Sequence, residues 1–284
     1  MRAYAGDRLQ AESVSPGTAA LDAPRVRQIG WFHWRGVATL VRREVGRTLR
    51  WPEITVIAPV FSALVFFVIF RYAIGAGDLA GEARQTIDFI VPGLIIFAAL
   101  ERAFETPSVS LIYDKYEGAI VDVLIPPLKA WEFALGYALA GMVTGLITGT
   151  AVLLGAGLIW PLDFAQPLAV LGFALLTTLL VAACGTILGI LGSKWDHLEA
   201  ALSFGLIPIA YLSGVFAPVS ELPPPLAAIM AANPLYYAID GFRGGLGGAA
   251  GADPVLALGV LIAALAALWA VAYILLLSGT GLRD

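Results

Sequence analysis

The sequence predicts an all-α integral membrane protein: six transmembrane helices, an N-terminal interfacial helix and an external re-entrant helical pair. Three observations predict it. Hydrophobic residues make up 59% of the 284-residue chain and charged residues 13%, about half the charge of an average soluble domain, and the mean hydropathy is +0.85. Six apolar runs reach the ~20 residues that a helix needs to cross a bilayer. Basic residues gather ahead of the first run.

The first 24 residues, through Pro24, are rich in Ala, Ser, Gly and Asp. They lack the apolar core of a signal peptide, and residues 1–28 read as a flexible cytoplasmic tail. From Trp31 to Arg50, the residues Trp34, Val37, Val41, Val45 and Leu49 recur at helical spacing, while Arg35, Arg42, Arg43, Arg47 and Arg50 occupy other positions. The pattern predicts an amphipathic helix within 29–52, lying in the cytoplasmic interface with its arginines toward anionic head groups. An ordinary soluble amphipathic helix is the plainer alternative. One arginine-rich helix beside a membrane span is weak ground for nucleic-acid binding, and no such partner is expected.

Residues 53–284 read as one transmembrane domain, with spans at about 54–74, 88–113, 131–160, 168–192, 198–217 and 254–277. Trp51, Trp131, Trp160 and Trp195 sit at predicted span edges, where an amphipathic ring prefers the head-group level. Between the last two spans, Pro223-Pro224-Pro225 and Asn233-Pro234 cut Pro218–Gly248 into apolar pieces too short to cross. Proline removes a backbone donor and restricts the residue before it. The stretch therefore reads as two short re-entrant or surface-lying helices, which need protein or water as cover at membrane depth.

Nine of the seventeen Lys and Arg residues precede the first span, which places the N-terminus in the cytoplasm. An even number of spans returns the C-terminus, with Arg283, to the same side. The loops at 114–129 and 193–197, with Lys115, Lys129 and Lys194, then face the cytoplasm too. Arg71, Arg84 and Arg243 fall outside.

The second span is interrupted by Glu101, Arg102 and Glu105. Its twelve Leu, Ile, Val and Phe residues favour the bilayer by roughly 4–7 kcal/mol, while three mid-helix charges oppose it by roughly 8–10 kcal/mol. This helix is not expected to stand alone in lipid. Glu101 and Glu105, four apart, share a face, and Arg102 is three from Glu105. An Arg102–Glu105 pair would leave Glu101 over. The cluster either lines a substrate path or gate, with a proton relay as a variant, or is an ion pair locking neighbouring helices.

Gly141, Gly145 and Gly149 form overlapping GxxxG units, and Gly185 and Gly189 repeat the spacing in the fourth span. Such faces let helix backbones approach closely. The loop from Asp114 to Pro127 reads as a short amphipathic helix, charged at its start and ended by prolines, and as a docking element for a cytoplasmic partner. The lone Cys184 excludes an intrachain disulfide framework and reads as a small buried residue. HExxH, CxxC and GxSxG patterns are lacking, and His33 and His197 stand far apart, so no catalytic centre, metal site or cofactor is expected in this chain. There is no GxxxxGK[ST] phosphate loop. Uphill transport would need another subunit's ATP hydrolysis or an ion gradient.

Phe89-Ile90-Val91-Pro92-Gly93-Leu94-Ile95 opens the second span, and Leu124-Ile125-Pro126-Pro127 ends the cytoplasmic loop. Tyr211-Leu212-Ser213-Gly214-Val215-Phe216, Leu222-Pro223-Pro224, Asn233-Pro234-Leu235-Tyr236-Tyr237 and Gly241-Phe242-Arg243 follow in order. Together they resemble the type-2 ABC exporter permeases, and within them the YadH-type inner-membrane permeases, from about Ile54 to the C-terminus. The resemblance implies a permease of the bacterial inner membrane, in which two copies pair with two separate cytoplasmic ABC ATPase subunits that hold ATP and Mg. It implies that Asp114–Val123, starting with Asp114, Lys115, Tyr116, Glu117 and Gly118, couples to the ATPase. It implies that Pro218–Gly248 caps the exit, with Pro224, Asn233, Pro234, Tyr236, Tyr237 and Arg243, and that the dimer seam uses the first and fifth spans. The substrate path would follow the second and fifth, making Glu101, Arg102, Glu105 and Tyr211 its candidate residues. That family usually has no charges where this chain has the cluster, so no role carries over to the three charges.

The function expected is the membrane subunit of an ATP-driven exporter for an amphiphile: a drug-like molecule, a lipid or a lipid-linked glycan. The alternative is a proton-coupled secondary transporter using Glu101 and Glu105. A membrane scaffold that transports nothing is a third reading.

Overall fold

The computed structural model describes residues 31–74, 82–125, 127–216, 218–219 and 222–281. The tail expected over 1–28, Pro126 and Arg283 lie outside the described residues. Every described helix belongs to the compact body that begins at His33.

Among the described residues the chain forms ten helices and no strand. They are α1 (Trp34–Thr48), α2 (Glu53–Ala73), α3 (Glu82–Tyr116), α4 (Ile120–Leu124) and α5 (Ala130–Ile159), followed by α6 (Pro167–Leu191), α7 (Trp195–Val215), α8 (Pro224–Ala231), α9 (Pro234–Gly245) and α10 (Pro254–Ser278). Five of them, α2, α5, α6, α7 and α10, are long and apolar enough to cross a membrane. The sixth expected span, α3, is not among them. It has 35 residues, about 52 Å at 1.5 Å per residue, but carries the Glu101–Arg102–Glu105 cluster in its middle.

The long helix α3 is the hub of the body, and α5 and α6 pack along most of it. Pro107 lies inside α3 and has no N–H to offer the carbonyl of Ala103. Gly141 of α5 fills that side: a Cβ there would stand 2.5 Å from the Ala103 carbonyl oxygen and 3.0 Å from Pro107. One turn on, a Cβ at Gly145 would meet the Ala99 carbonyl at 2.6 Å. Gly185 of α6 lies against the Phe104 carbonyl, and Gly189 against Leu111 and the Pro107 carbonyl. Both GxxxG faces therefore grip the same central helix, by the close backbone approach that small residues permit.

At one end of the bundle, α1 lies across the start of α5 and the end of α3. Glu132 holds this corner by accepting from the backbone N–H of His33 at 2.6 Å and of Lys129 at 2.9 Å. At the opposite end, α9 packs on α3, α6 and α10, and Gln166 N–H donates to the Gly245 carbonyl.

Within the body α1 buries Val37, Leu40 and Glu44; Trp34 is exposed, and Val41, Val45 and Leu49 are half-buried. Trp160 stands at the end of α5, as expected of a span edge; it is buried, its indole N–H donates to Asp88 at 2.7 Å, and Arg71 stands over its ring. One expectation needs correction. The segment Asp114–Val123 is not one helix. Asp114, Lys115 and Tyr116 are the last residues of α3, a turn at Glu117–Ala119 follows, and α4 begins at Ile120. Gly118, at φ 70°, makes that turn because a side chain is strained there.

Candidate functional site

The charges of α3 face a cavity of about 320 Å3 between α2, α3 and α7. Glu101, Arg102, Glu105 and Tyr211 all line it, so these four expected path residues come together. The polar end holds the three charges near Ile54; the other end is walled by Phe97, Tyr211 and Phe216. Phe97 and Tyr211 have ring centroids 5.4 Å apart, and Tyr211 meets Phe216 edge-on at 5.1 Å.

Arg102 has two commitments. It pairs with Glu105 at 2.8 Å and donates to the Ile54 carbonyl at 3.3 Å. Ile54 belongs to a π-helical turn that opens α2, and the next carbonyl, that of Thr55, takes a hydrogen bond from Thr148 of α5 at 3.1 Å. The cluster thus ties α3 to α2 while leaving Glu101 on the cavity wall.

The residues expected to couple to an ATPase divide. Tyr116, Glu117 and Gly118 are exposed at the turn, next to exposed Val121 and Ile125. Asp114 is buried, and Lys115 is turned inward onto the carbonyls of Ile190 and Gly192. Asp114 accepts from Arg47 at 2.6 Å, from Arg43 at 3.1 Å and from the Tyr137 hydroxyl at 3.4 Å. Glu44, wholly buried, accepts from Arg47 at 2.5 Å and from the Ser110 hydroxyl. Two acids and two bases balance in this network. Burial disfavours the Arg47 charge, but Asp114 and Glu44 outweigh it and hold the guanidinium above its ordinary pKa. Arg47, half-buried, and Arg43, still exposed, thus reach back to acids of the protein, whereas Arg35, Arg42 and Arg50 are exposed without such a partner among the described ion pairs. Sequence reasoning missed Glu44. Its signal was position: an acid three and four residues from Arg47 and Leu40, in line with Val37, on the side that packs.

The expected cap residues gather around α8 and α9. Pro224 opens α8, and Asn233 caps α9, accepting from Leu235 N–H at 3.0 Å ahead of Pro234. Its amide also donates to the Ser213 hydroxyl at 2.6 Å and to the Ile209 carbonyl at 3.1 Å. Tyr236 and Tyr237 stack edge to face, and the Tyr237 hydroxyl donates to Ala231. Arg243, at the far end of α9, is buried. It donates to the carbonyls of Gly214 and Phe89, stands 3.6 Å from the Phe89 ring centroid, and lies 3.7 Å from Asp240. Gly214 has φ 81°, where α7 leaves helical geometry. The bend aims its carbonyl at Arg243.

The sequence profile of the ABC-2 type transporter family matches residues 35–246, from α1 to the end of α9. The chain belongs to the ABC-2 type transporter family. It is 29% identical over 256 residues to an Escherichia coli inner membrane transport permease, YadH, covering 89% of this chain and 99% of that one. It is 24% identical over 153 residues to the E. coli probable multidrug ABC transporter permease YbhR, covering 54% of this chain and 42% of that one. Nodulation protein J of Bradyrhizobium diazoefficiens is 22% identical over 178 residues, 62% of this chain and 68% of that protein. This ABC-2 chain is thus a multi-pass transport subunit, and the matched region contains the cavity, the α1–α3 ion network and the Arg243 clamp.

Proposed function

We propose that this protein is the membrane subunit of an ATP-driven exporter of the bacterial inner membrane. It spans the bilayer six times, α3 being the second span, with both termini in the cytoplasm. Two copies assemble with two cytoplasmic ATPase subunits, which hold ATP and Mg; this chain needs no cofactor of its own. The exposed turn at Tyr116–Gly118 and the neighbouring α4 receive the push of the ATPase. The α1–α3 ion network carries it into α3, whose partner across the cavity is α7. The pair α8–α9 is re-entrant and caps the outer end.

The observation that carries this reading is the cavity between α2, α3 and α7, charged at one end and aromatic at the other, in a chain of a transporter family. Such a cavity suits an amphiphile: its charged end recognises a polar group, and its rings accept apolar surface. Relatives named as a transport permease and a probable multidrug permease support transport, and for the second of them drug-like substrates; a lipid or a lipid-linked glycan fits the same cavity chemistry.

The test is co-expression with a candidate cytoplasmic ABC ATPase of the same genome, purification, and measurement of hydrolysis and substrate flux in liposomes. An associated ATPase whose hydrolysis drives flux is the expected result. Flux that follows a proton gradient and ignores ATP would replace this reading with proton-coupled transport through Glu101 and Glu105.

A further inference from the structure

Resting on that reading of the cavity, we propose that it selects amphiphiles bearing a cationic group, and that Glu101 supplies the counter-charge. The argument starts from the pairing. Arg102 is engaged by Glu105 at 2.8 Å and by the Ile54 carbonyl at 3.3 Å. Among the described residues no cation stands within ion-pair distance of Glu101. The cavity therefore presents one carboxylate more than its own arginine neutralises.

An uncompensated carboxylate inside a span is costly and is expected to have a partner. Here the partner has room to arrive from outside, because Glu101 forms part of the wall of a 320 Å3 cavity, a volume typical of a small-molecule site.

The rest of the wall agrees with the sign. Phe66, Phe97, Tyr211 and Phe216 line the same space. The face of an aromatic ring attracts a cation and repels an anion, most strongly where water is scarce. The aromatic contacts from Phe97 through Tyr211 to Phe216 form one continuous surface, which also accepts the apolar part of the ligand. An anion would meet two carboxylates, Glu101 and Glu105, and of Arg102 only the buried Nε–H is left without a partner. A neutral amphiphile would gain nothing from Glu101.

The experiment uses the purified chain in phosphatidylcholine nanodiscs, which carry no net lipid charge, and radiolabelled tetraphenylphosphonium as the probe. Saturable binding is expected. Tetraphenylarsonium should displace the probe; tetraphenylborate, of similar shape and opposite charge, should not. Glu101→Gln should weaken binding at least ~10-fold, and Glu101→Asp should retain most of it. Absence of saturable binding, equal displacement by tetraphenylborate, or unchanged affinity in a folded Glu101→Gln protein would overturn the proposal. If Glu101→Gln does not fold, the displacement pattern on the unaltered chain decides. ATPase association is measured on a separate sample. An ATPase that binds beside absent cation binding removes only the substrate class. Cation binding without any ATPase removes only the ATP-driven reading.

Discussion

Arg243 donates to the Gly214 carbonyl at 2.5 Å, joining α9 to the bend of α7. The same guanidinium reaches the Phe89 carbonyl at 3.1 Å, so one buried side chain ties together three helices at one end of the bundle.

Arg243→Ala leaves two carbonyls without that donor and should lower stability by about 2–3 kcal/mol, the scale for buried hydrogen bonds to a charged group. Arg243→Lys should recover less than half of this, because an ammonium cannot span two carbonyls as a planar fork does. Thermal unfolding in detergent checks both. Asp240 should tolerate the change, since Gly251 and Ala252 N–H groups already donate to it.

Asp114→Asn should weaken the hold of α1 on α3. Breaking a buried pair from one side costs about 3–5 kcal/mol; Arg47 is 30% exposed, so about 2–3 kcal/mol is expected here. The double variant Arg47→Met with Asp114→Leu should lose less than the two single variants summed, because it leaves one acid and one base, Glu44 and Arg43, 3.5 Å apart, rather than a charge in excess. A double-mutant cycle on unfolding free energies measures this.

Gly145→Ala should cost about 1–3 kcal/mol, because its Cβ would stand 2.6 Å from a backbone carbonyl of α3. Gly172→Ala is the control: it has nothing within 4 Å and should be neutral or stabilising by up to about 1 kcal/mol. Melting curves of the two variants should separate.

Val121→Glu and Ile125→Asp should abolish association with the ATPase while leaving unfolding temperature nearly unchanged. Both side chains are more than 60% exposed, and a charge in an apolar docking surface is disfavoured. Pull-down of the ATPase beside a melting curve reads both. A large loss of stability instead would show that these residues pack inside the subunit.

Arg102→Ala should destabilise α3 by about 2–3 kcal/mol, less than the 3–5 kcal/mol of a fully buried pair. It leaves Glu101 and Glu105 four residues apart without a cation between them. Adding Glu105→Gln should recover part of the loss. Yield from membranes and unfolding free energy follow the effect.

Much of the fold is legible in the residues alone. Five long apolar helices follow from apolar runs, because hydropathy records the cost of exposing side chains to lipid or water. The gripping role of Gly141, Gly145, Gly185 and Gly189 follows from their spacing. The Arg102–Glu105 pair follows from three-residue separation on a helix. Partner choice over long distance is what escapes. Spacing turns Arg43 and Arg47 toward head groups, yet Asp114, about seventy residues away, claims both. Glu44 lies hidden among arginines. Trp160 ends its helix as its ring chemistry suggests, but nothing local names Asp88 as the acceptor of its N–H.

Residue order alone is enough to read a multi-pass helical protein of a transporter family, and to require a protein or aqueous setting for three charges in one helix. Periodicity and composition suffice for that, since both are local. Which charges pair with one another and which face open space is set by how the helices pack. Arg102 goes to Glu105 and Ile54, and Glu101 remains on the cavity wall with Tyr211. That outcome depends on α2 and α7 arriving beside α3, and no spacing within α3 encodes it.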